Sequence, residues 1–156
     1  KHPQKVHVWG CFSEKGFGKL VIFRNNLDAK FLCKIYKKGL LPSAKTWFGS
    51  DPADWVLQED NDPKHTSKIA TKWREENNVT RMEWPAQSPD QNPIEHVWQI
   101  LKANVAARKP KTVNALVRFI REEWKQLSPD FAAKLVQSMK RRTEALIIAE
   151  GDHTLY

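Results

Sequence analysis

Residues 6–12, Val-His-Val-Trp-Gly-Cys-Phe, are β-rich and roughly alternating, and residues 19–23, Lys-Leu-Val-Ile-Phe, form a second such run. Between them lies Ser13-Glu14-Lys15-Gly16-Phe17-Gly18, a turn with two glycines, so the pair predicts an antiparallel hairpin. Asn25-Asn26-Leu27-Asp28 then offers helix-start chemistry, and Phe31, Leu32, Ile35, Tyr36 and Leu40 follow at helical spacing. Gly39 and Pro42 weaken the end of that helix, and Ser43 to Ala53, with Gly49 and Pro52, reads as irregular. Trp55-Val56-Leu57-Gln58 is short, apolar and bounded by turn residues, the pattern of a buried strand. Asn61-Asp62-Pro63 breaks it.

Ser67 can cap a helix holding Ile69, Ala70 and Trp73 that ends near Asn77-Asn78. Val79 to Trp84 reads as a further strand, and Pro85 to Pro93, with three prolines, as a loop. From Pro93 to Ala107 the residues Ile94, Val97, Trp98, Leu101 and Val105 form one helical stripe. Another stripe, Leu116, Val117, Ile120 and Trp124, predicts a helix from about Val113 to Leu127. Residues 129–149 predict a last helix or helix pair, and Gly151 to Tyr156 a loose tail. Strand, strand, helix, strand, helix, strand and then helices is a mixed α/β order, a sheet covered by helices. A doubly wound nucleotide-binding fold needs a glycine-rich turn between a strand and a helix. Gly16-Phe17-Gly18 lacks the third glycine and precedes a strand, which excludes that fold.

The 156 residues suit one domain, here residues 1–150, with 151–156 as its tail. Two cysteines, Cys11 and Cys33, are too few for a disulfide scaffold or a multi-cysteine zinc site, and a reducing compartment is the simpler expectation. No apolar run approaches the ~18 residues of a membrane span, so no membrane partner is expected. The net charge is +8, and residues 1–66 and 67–156 each contribute +4. Any basic surface therefore belongs to the folded domain, and it suits a phosphate-rich partner.

The candidate chemistry is acidic. Asp60 stands at the end of the expected buried strand, where open α/β sheets collect ligands. Asp60-Asn61-Asp62-Pro63 can equally form an Asx turn or a helix cap. Glu95 lies in the first turn of the helix beginning at Pro93, at the edge of its buried stripe. With Asn92 as cap and Pro93 as first helical residue, Glu95 also completes a capping box. Two carboxylates so placed can share a hard-cation site, since Mg²⁺ takes oxygen ligands and keeps several waters. Two such ions can clamp a phosphodiester. His65 and His96 lack metal-ligand spacing and read as surface or supporting histidines. Trp98 and Trp124 fall on apolar stripes and read as core.

Gln58-Glu59-Asp60-Asn61-Asp62-Pro63-Lys64-His65-Thr66-Ser67 resembles the second-aspartate motif of Tc1-like transposases in the Tc1/mariner superfamily. Glu83-Trp84-Pro85-Ala86-Gln87-Ser88-Pro89-Asp90-Gln91-Asn92-Pro93-Ile94-Glu95 resembles their third-carboxylate motif, with Gln91 in place of the usual leucine. Thirty-four residues separate Asp60 from Glu95, the spacing of one branch of that group. Val8-Trp9-Gly10-Cys11-Phe12-Ser13 resembles the strand block after the first carboxylate, and the likeness continues through Trp98, Leu101-Lys102, Arg108-Lys109-Pro110 and Glu122-Glu123-Trp124.

The resemblance implies an RNase H-like fold and an Mg²⁺-dependent nuclease and strand transferase, with Mn²⁺ as a substitute. Asp60 and Glu95 match the second and third catalytic carboxylates and would be the metal ligands. DNA would be the partner, a homo-oligomer the assembly and the nucleus the location. Lys64, Lys102, Arg108, Lys109 and Lys111 are candidate phosphate contacts. The family's first aspartate lies on a first strand upstream of the hairpin, and Asp28, Asp51 and Asp54 match no such motif. The chain therefore resembles a carboxy-terminal portion of a transposase catalytic domain with its first strand missing, expected to be inactive alone. The alternatives are a non-catalytic descendant serving as a DNA-binding or protein-interaction module, and a nuclease acting on RNA–DNA hybrids.

Overall fold

The computed structural model describes residues 5–83 and 92–148. The expected hairpin forms the sheet: β1 (His7–Ser13) pairs antiparallel with β2 (Gly16–Phe23). Glu14 and Lys15 make the turn, and Gly16 follows it at φ 134°, a conformation closed to side chains with a Cβ. Val8 faces Ile22 and Gly10 faces Leu20, but Phe12 faces Phe17, so the register slips by one residue. The extra residue sits in β2, where Gly18 and Lys19 oppose Cys11 as a β-bulge. The Lys19 N–H donates to Ser43 Oγ at 2.9 Å, and that hydroxyl donates to Gly39 O at 2.6 Å.

Asp28 starts α1 (Ala29–Ile35), its carboxylate accepting the Phe31 N–H at 2.7 Å. The expected end near Gly39 and Pro42 is wrong, and of the irregular stretch expected at Ser43–Ala53 the part up to Phe48 is helical. The chain passes through a π-helical turn, Tyr36–Leu40, into α2 (Leu41–Phe48). The Leu41 N–H bonds Tyr36 O, five residues back, and Pro42 then stands in the first turn after the register change, where a missing N–H costs little. Gly39 does not stop the helix. A Cβ there would lie 2.6 Å from the Trp9 ring, so glycine lets the helix approach the sheet. Gly49, at φ 88°, ends α2.

The strands expected at 55–58 and 79–84 reduce, among the described residues, to one parallel bridge between Leu57 and Arg81. The Leu57 N–H bonds Thr80 O and the Met82 N–H bonds Leu57 O, each at 2.8 Å. Leu57 packs inward while Val56 is half-exposed, so the run buries one face rather than two. A single turn, α3 (Pro63–Thr66), is capped by Asp62, and α4 (Lys68–Glu76) by Ser67, as its sequence suggests. The remaining helices are α5 (Ile94–Ala107), α6 (Val113–Gln126) and α7 (Pro129–Ile148), the last a single helix rather than a pair. The loop expected at Pro85–Pro93 falls largely outside the described residues, and the tail 151–156 wholly so.

The sheet is the middle of three layers. Val8, Phe12, Phe17, Leu20 and Ile22 pack against Val97, Leu101, Val105, Ile120, Trp124 and Leu135 of α5, α6 and α7. Trp9 packs on the other face, beside Leu32, Tyr36, Leu40 and Ala70. The Trp98 and Trp124 rings stack at 5.7 Å, and Trp124 Nε1 donates to Gly18 O, so both tryptophans are core as expected. Burying side chains of this size contributes about 1.5–3 kcal/mol each.

Candidate active site around Asp60

The Leu57–Arg81 bridge fixes where the chain leaves the second core, and Glu59 and Asp60 follow within three residues. Their carboxylates differ in surroundings. Asp60 is half-exposed, whereas Glu59 is buried. Asp60 Oδ1 accepts the Asp62 N–H at 3.1 Å, closing an Asx turn, and faces His65 Nδ1 at 2.7 Å. His65 Nδ1 is therefore the protonated ring nitrogen toward Asp60. Asp60 Oδ2 has no partner among the described residues. The turn reading and the ligand reading are compatible, because the turn uses one oxygen only.

Glu59 accepts three hydrogen bonds. Tyr36 OH donates to Oε2 at 2.5 Å, and Arg74 Nη1 and Arg81 Nε both donate to Oε1 at 3.2 Å. The same arginines reach the surrounding backbone: Arg81 Nη2 donates to Asp60 O at 2.7 Å and Arg74 Nη1 to His65 O at 2.8 Å. Burial first, and then the Glu59 charge and hydrogen bond, push the Tyr36 hydroxyl far above its usual range, so it stays a donor. Asp62 is partly desolvated, which works against ionisation. The Lys64 N–H and Lys64 ammonium nonetheless hold its carboxyl below the usual carboxylate range.

Glu95 projects from the first turn of α5 and is exposed. The expected capping box is not closed. Asn92 Oδ1 lies 3.4 Å from the Ile94 N–H, the helix starts one residue later than expected, and the Glu95 carboxylate has no partner among the described residues. No hydrogen bond or ion pair joins Asp60 to Glu95, and no group of three or more metal-ligating side chains forms among the described residues. Residues 84–91, which carry most of the third-carboxylate motif, lie outside them. In kind, the two accessible carboxylates fit a hard divalent cation, which takes oxygen donors and completes its shell with water.

The family described as DDE superfamily endonuclease matches residues 1–117. The chain belongs to this family, within the Tc1/mariner transposases. It is 36% identical over 151 residues to the transposable element Tcb1 transposase of Caenorhabditis briggsae. The match covers 97% of this chain and 54% of that protein, so the chain spans about half the length of such a relative. Its fold matches the catalytic domain of Mos1 mariner transposase at a TM-score of 0.86 and 15% identity, over 99% of this chain and 78% of that one. It also matches the Mos1 mariner paired end complex with Mn at a TM-score of 0.85 and 14% identity, over 96% of this chain and 45% of that one. The small sheet between helical layers is thus that of the RNase H-like catalytic domains, as the resemblance implied.

Within this transposase domain the five basic candidates are dispersed. Lys64 Nζ pairs with Asp62 at 3.0 Å. Arg108 is paired with Glu122 and with Glu123, and its guanidinium stacks 3.8 Å from the Phe119 centroid. Glu122 raises the Arg108 pKa first, ahead of Glu123. Lys102 lines a groove of about 460 Å³ with Val6, Val8, Trp98 and Leu101, while Lys109 and Lys111 are exposed on the α5–α6 connection. The sequence reading missed a second groove, of about 530 Å³, where Arg24 meets Asn114, Arg118, Arg121 and Lys125. Its signal was available: positions 114, 118, 121 and 125 are one face of a helix. It also missed Glu59, Arg74 and Arg81. His65 sits behind Asp60 as a supporting side chain, and His96 is exposed, 6.0 Å from the Phe131 ring. Burial raises the Cys11 thiol to about 11, which makes it a protonated thiol at neutral pH and no nucleophile.

Proposed function

We propose that this chain supplies the Asp60 and Glu95 carboxylates of a DNA strand-cleavage and strand-transfer site. The observation that carries this is the Asp60 loop. A half-exposed carboxylate is fixed by one oxygen to its own turn and to His65, and the other oxygen is left for a ligand. The proposed reaction is in-line displacement at a phosphodiester. Oxygen of water, later of a DNA 3′-hydroxyl, forms the new P–O bond as the bond to the leaving oxygen breaks. Asp60 and Glu95 would hold Mg²⁺, or Mn²⁺ in its place, which supplies charge for the phosphate and acidity for the attacking oxygen. His65 keeps Asp60 Oδ1 in place. The Arg24–Arg121–Lys125 groove and the exposed Lys109 and Lys111 offer phosphate contacts that position DNA.

On this reading the chain acts as a homo-oligomer on paired DNA ends, in keeping with the Mos1 paired end complex, and works in the nucleus. Alone, this chain binds Mg²⁺ weakly and cleaves little, because two carboxylates are a thin ligand set for a cation that dehydrates reluctantly. The test is nicking of supercoiled plasmid with Mg²⁺ or Mn²⁺ by the chain and its Asp60→Asn variant, with and without an added segment carrying a first aspartate. Nicking that needs both the segment and Asp60 supports the reading. Equal nicking by wild type and variant refutes it. DNA binding that Asp60→Asn leaves untouched, with no nicking under any condition, selects the non-catalytic module.

A further inference from the structure

We propose that Glu59 is a positioning residue for Asp60, an inference that rests on the reading of Asp60 as a metal ligand. Glu59 is buried and takes three donors, one from each of three separate parts of the chain: Tyr36, Arg74 and Arg81. As a core device this is a poor choice. Burying a carboxylate with two guanidiniums carries a desolvation cost that well-packed apolar side chains would avoid. What apolar side chains could not do is hold the loop above. Arg81 reaches Glu59 through Nε and the Asp60 loop through Nη2, and Arg74 Nη1 bridges the two by donating to both Glu59 and the loop backbone. Arg81 holds Asp60 O at 2.7 Å, and Arg74 holds His65 O at 2.8 Å. His65 in turn fixes Asp60 Oδ1 at 2.7 Å.

The two guanidiniums are thus aimed by one carboxylate, and through them the loop is gripped at both ends, at residue 60 and at residue 65. Arg81 adds a bond to Asn61 Oδ1 at 3.0 Å and Arg74 one to Thr71 Oγ1 at 3.2 Å, so each fork is held in one orientation. Glu59 itself makes no bond to Asp60 and is closed off from solvent, so it acts through its neighbours and does not share the cation.

The experiment follows Mn²⁺-induced broadening of the residue 60–65 amide signals in NMR spectra of the full chain. Glu59→Ala, Glu59→Gln and Arg81→Ala are compared with wild type, and thermal unfolding is recorded for each. Removing a supporting partner of a metal ligand typically weakens binding ~10–100-fold, so Glu59→Ala and Arg81→Ala raise the half-broadening Mn²⁺ concentration by at least ~10-fold. Glu59→Gln falls between, because its amide oxygen still accepts from both arginines. A merely structural residue would lower the unfolding temperature and leave that concentration unchanged in the folded population. Should Glu59→Ala fail to fold, Arg81→Ala and Glu59→Gln decide.

A wild-type concentration in both folded variants overturns the proposal, and so does absence of broadening at Asp60 in wild type. Plasmid nicking separates this from the proposed function. If the broadening shifts as expected but nothing nicks DNA, the function fails and the Glu59 assignment stands. If nicking depends on Asp60 while the broadening ignores Glu59 and Arg81, the reverse holds.

Discussion

Replacing Tyr36 by Phe removes one oxygen from the interior and nothing else. Tyr36 is fully buried, and its ring lies 5.3 Å from that of Trp73, a contact that Phe retains. The lost interaction is the 2.5 Å donation to Glu59 Oε2. Hydrogen bonds to charged groups contribute roughly 1.5–3 kcal/mol. Arg74 and Arg81 both sit on Oε1, and the nearest remaining group on Oε2 is His65 Nε2 at 3.8 Å, too far to hydrogen bond. The buried oxygen is left without a donor, so the upper half of that range applies, about 2–3 kcal/mol. In urea the midpoint falls while the m-value stays constant, and Tm drops by roughly 5–10 °C. A loss below about 0.5 kcal/mol would refute the claim that Glu59 is dry and dependent on Tyr36.

Gly10→Ala puts a Cβ 2.6 Å from Trp124 Cη2 and 3.0 Å from Trp98 Cη2. Overpacking of this kind costs about 1–3 kcal/mol, and an unchanged urea midpoint would show that the stacked rings move freely. Tyr36 also sets an alkaline limit. Its hydroxyl is neutral in the fold above the pH, near 10, at which an unfolded tyrosine ionises, so the unfolded state loses the proton first. The Tyr36 contribution to stability is therefore flat below that pH and falls above it, so Tyr36→Phe makes the alkaline fall shallower in a urea series from pH 8 to 11. Arg108→Ala changes the urea midpoint little, since its acidic partners are solvent-accessible, and it leaves duplex affinity unchanged. Arg121→Ala weakens duplex binding and lowers the salt slope by about 1 in fluorescence anisotropy. Equal slopes for the two variants would place the DNA elsewhere.

Much of the helical layer was legible because its signals are local. Asp28, Ser67 and Thr112 each cap the helix that the apolar spacing predicts, and Trp98 and Trp124 fall on the stripes that become core. What could not be read depends on partners distant in sequence. Gly39 and Pro42 are helix stoppers by local rules, and the contact with Trp9 together with a π turn overrides them. The apolar runs 55–58 and 79–84 look like buried strands, but a strand is defined by what pairs with it, and among the described residues only Leu57 and Arg81 do. At the site, Asp60 stood out through its motif. Glu59 beside it carried no signal, because a buried carboxylate is recognisable only once Tyr36, Arg74 and Arg81 are brought to it.

The bulge at Gly18–Lys19 and the π turn at Tyr36–Leu40 each hold one residue more than a regular strand or helix requires, and Ser43 ties them together. The two irregularities are therefore mated like a tooth and its notch. Deleting one residue from the π turn would swing Ser43 about 100° around the helix axis, away from the Lys19 N–H, and carry Trp47 off the Gly18 backbone. A strand amide would then face the interior without an acceptor. Length changes are tolerable around Ser50–Asp54, where the chain is exposed. In this layer a gain or loss of one residue can enter only as a matched pair, one change in the strand and one in the helix.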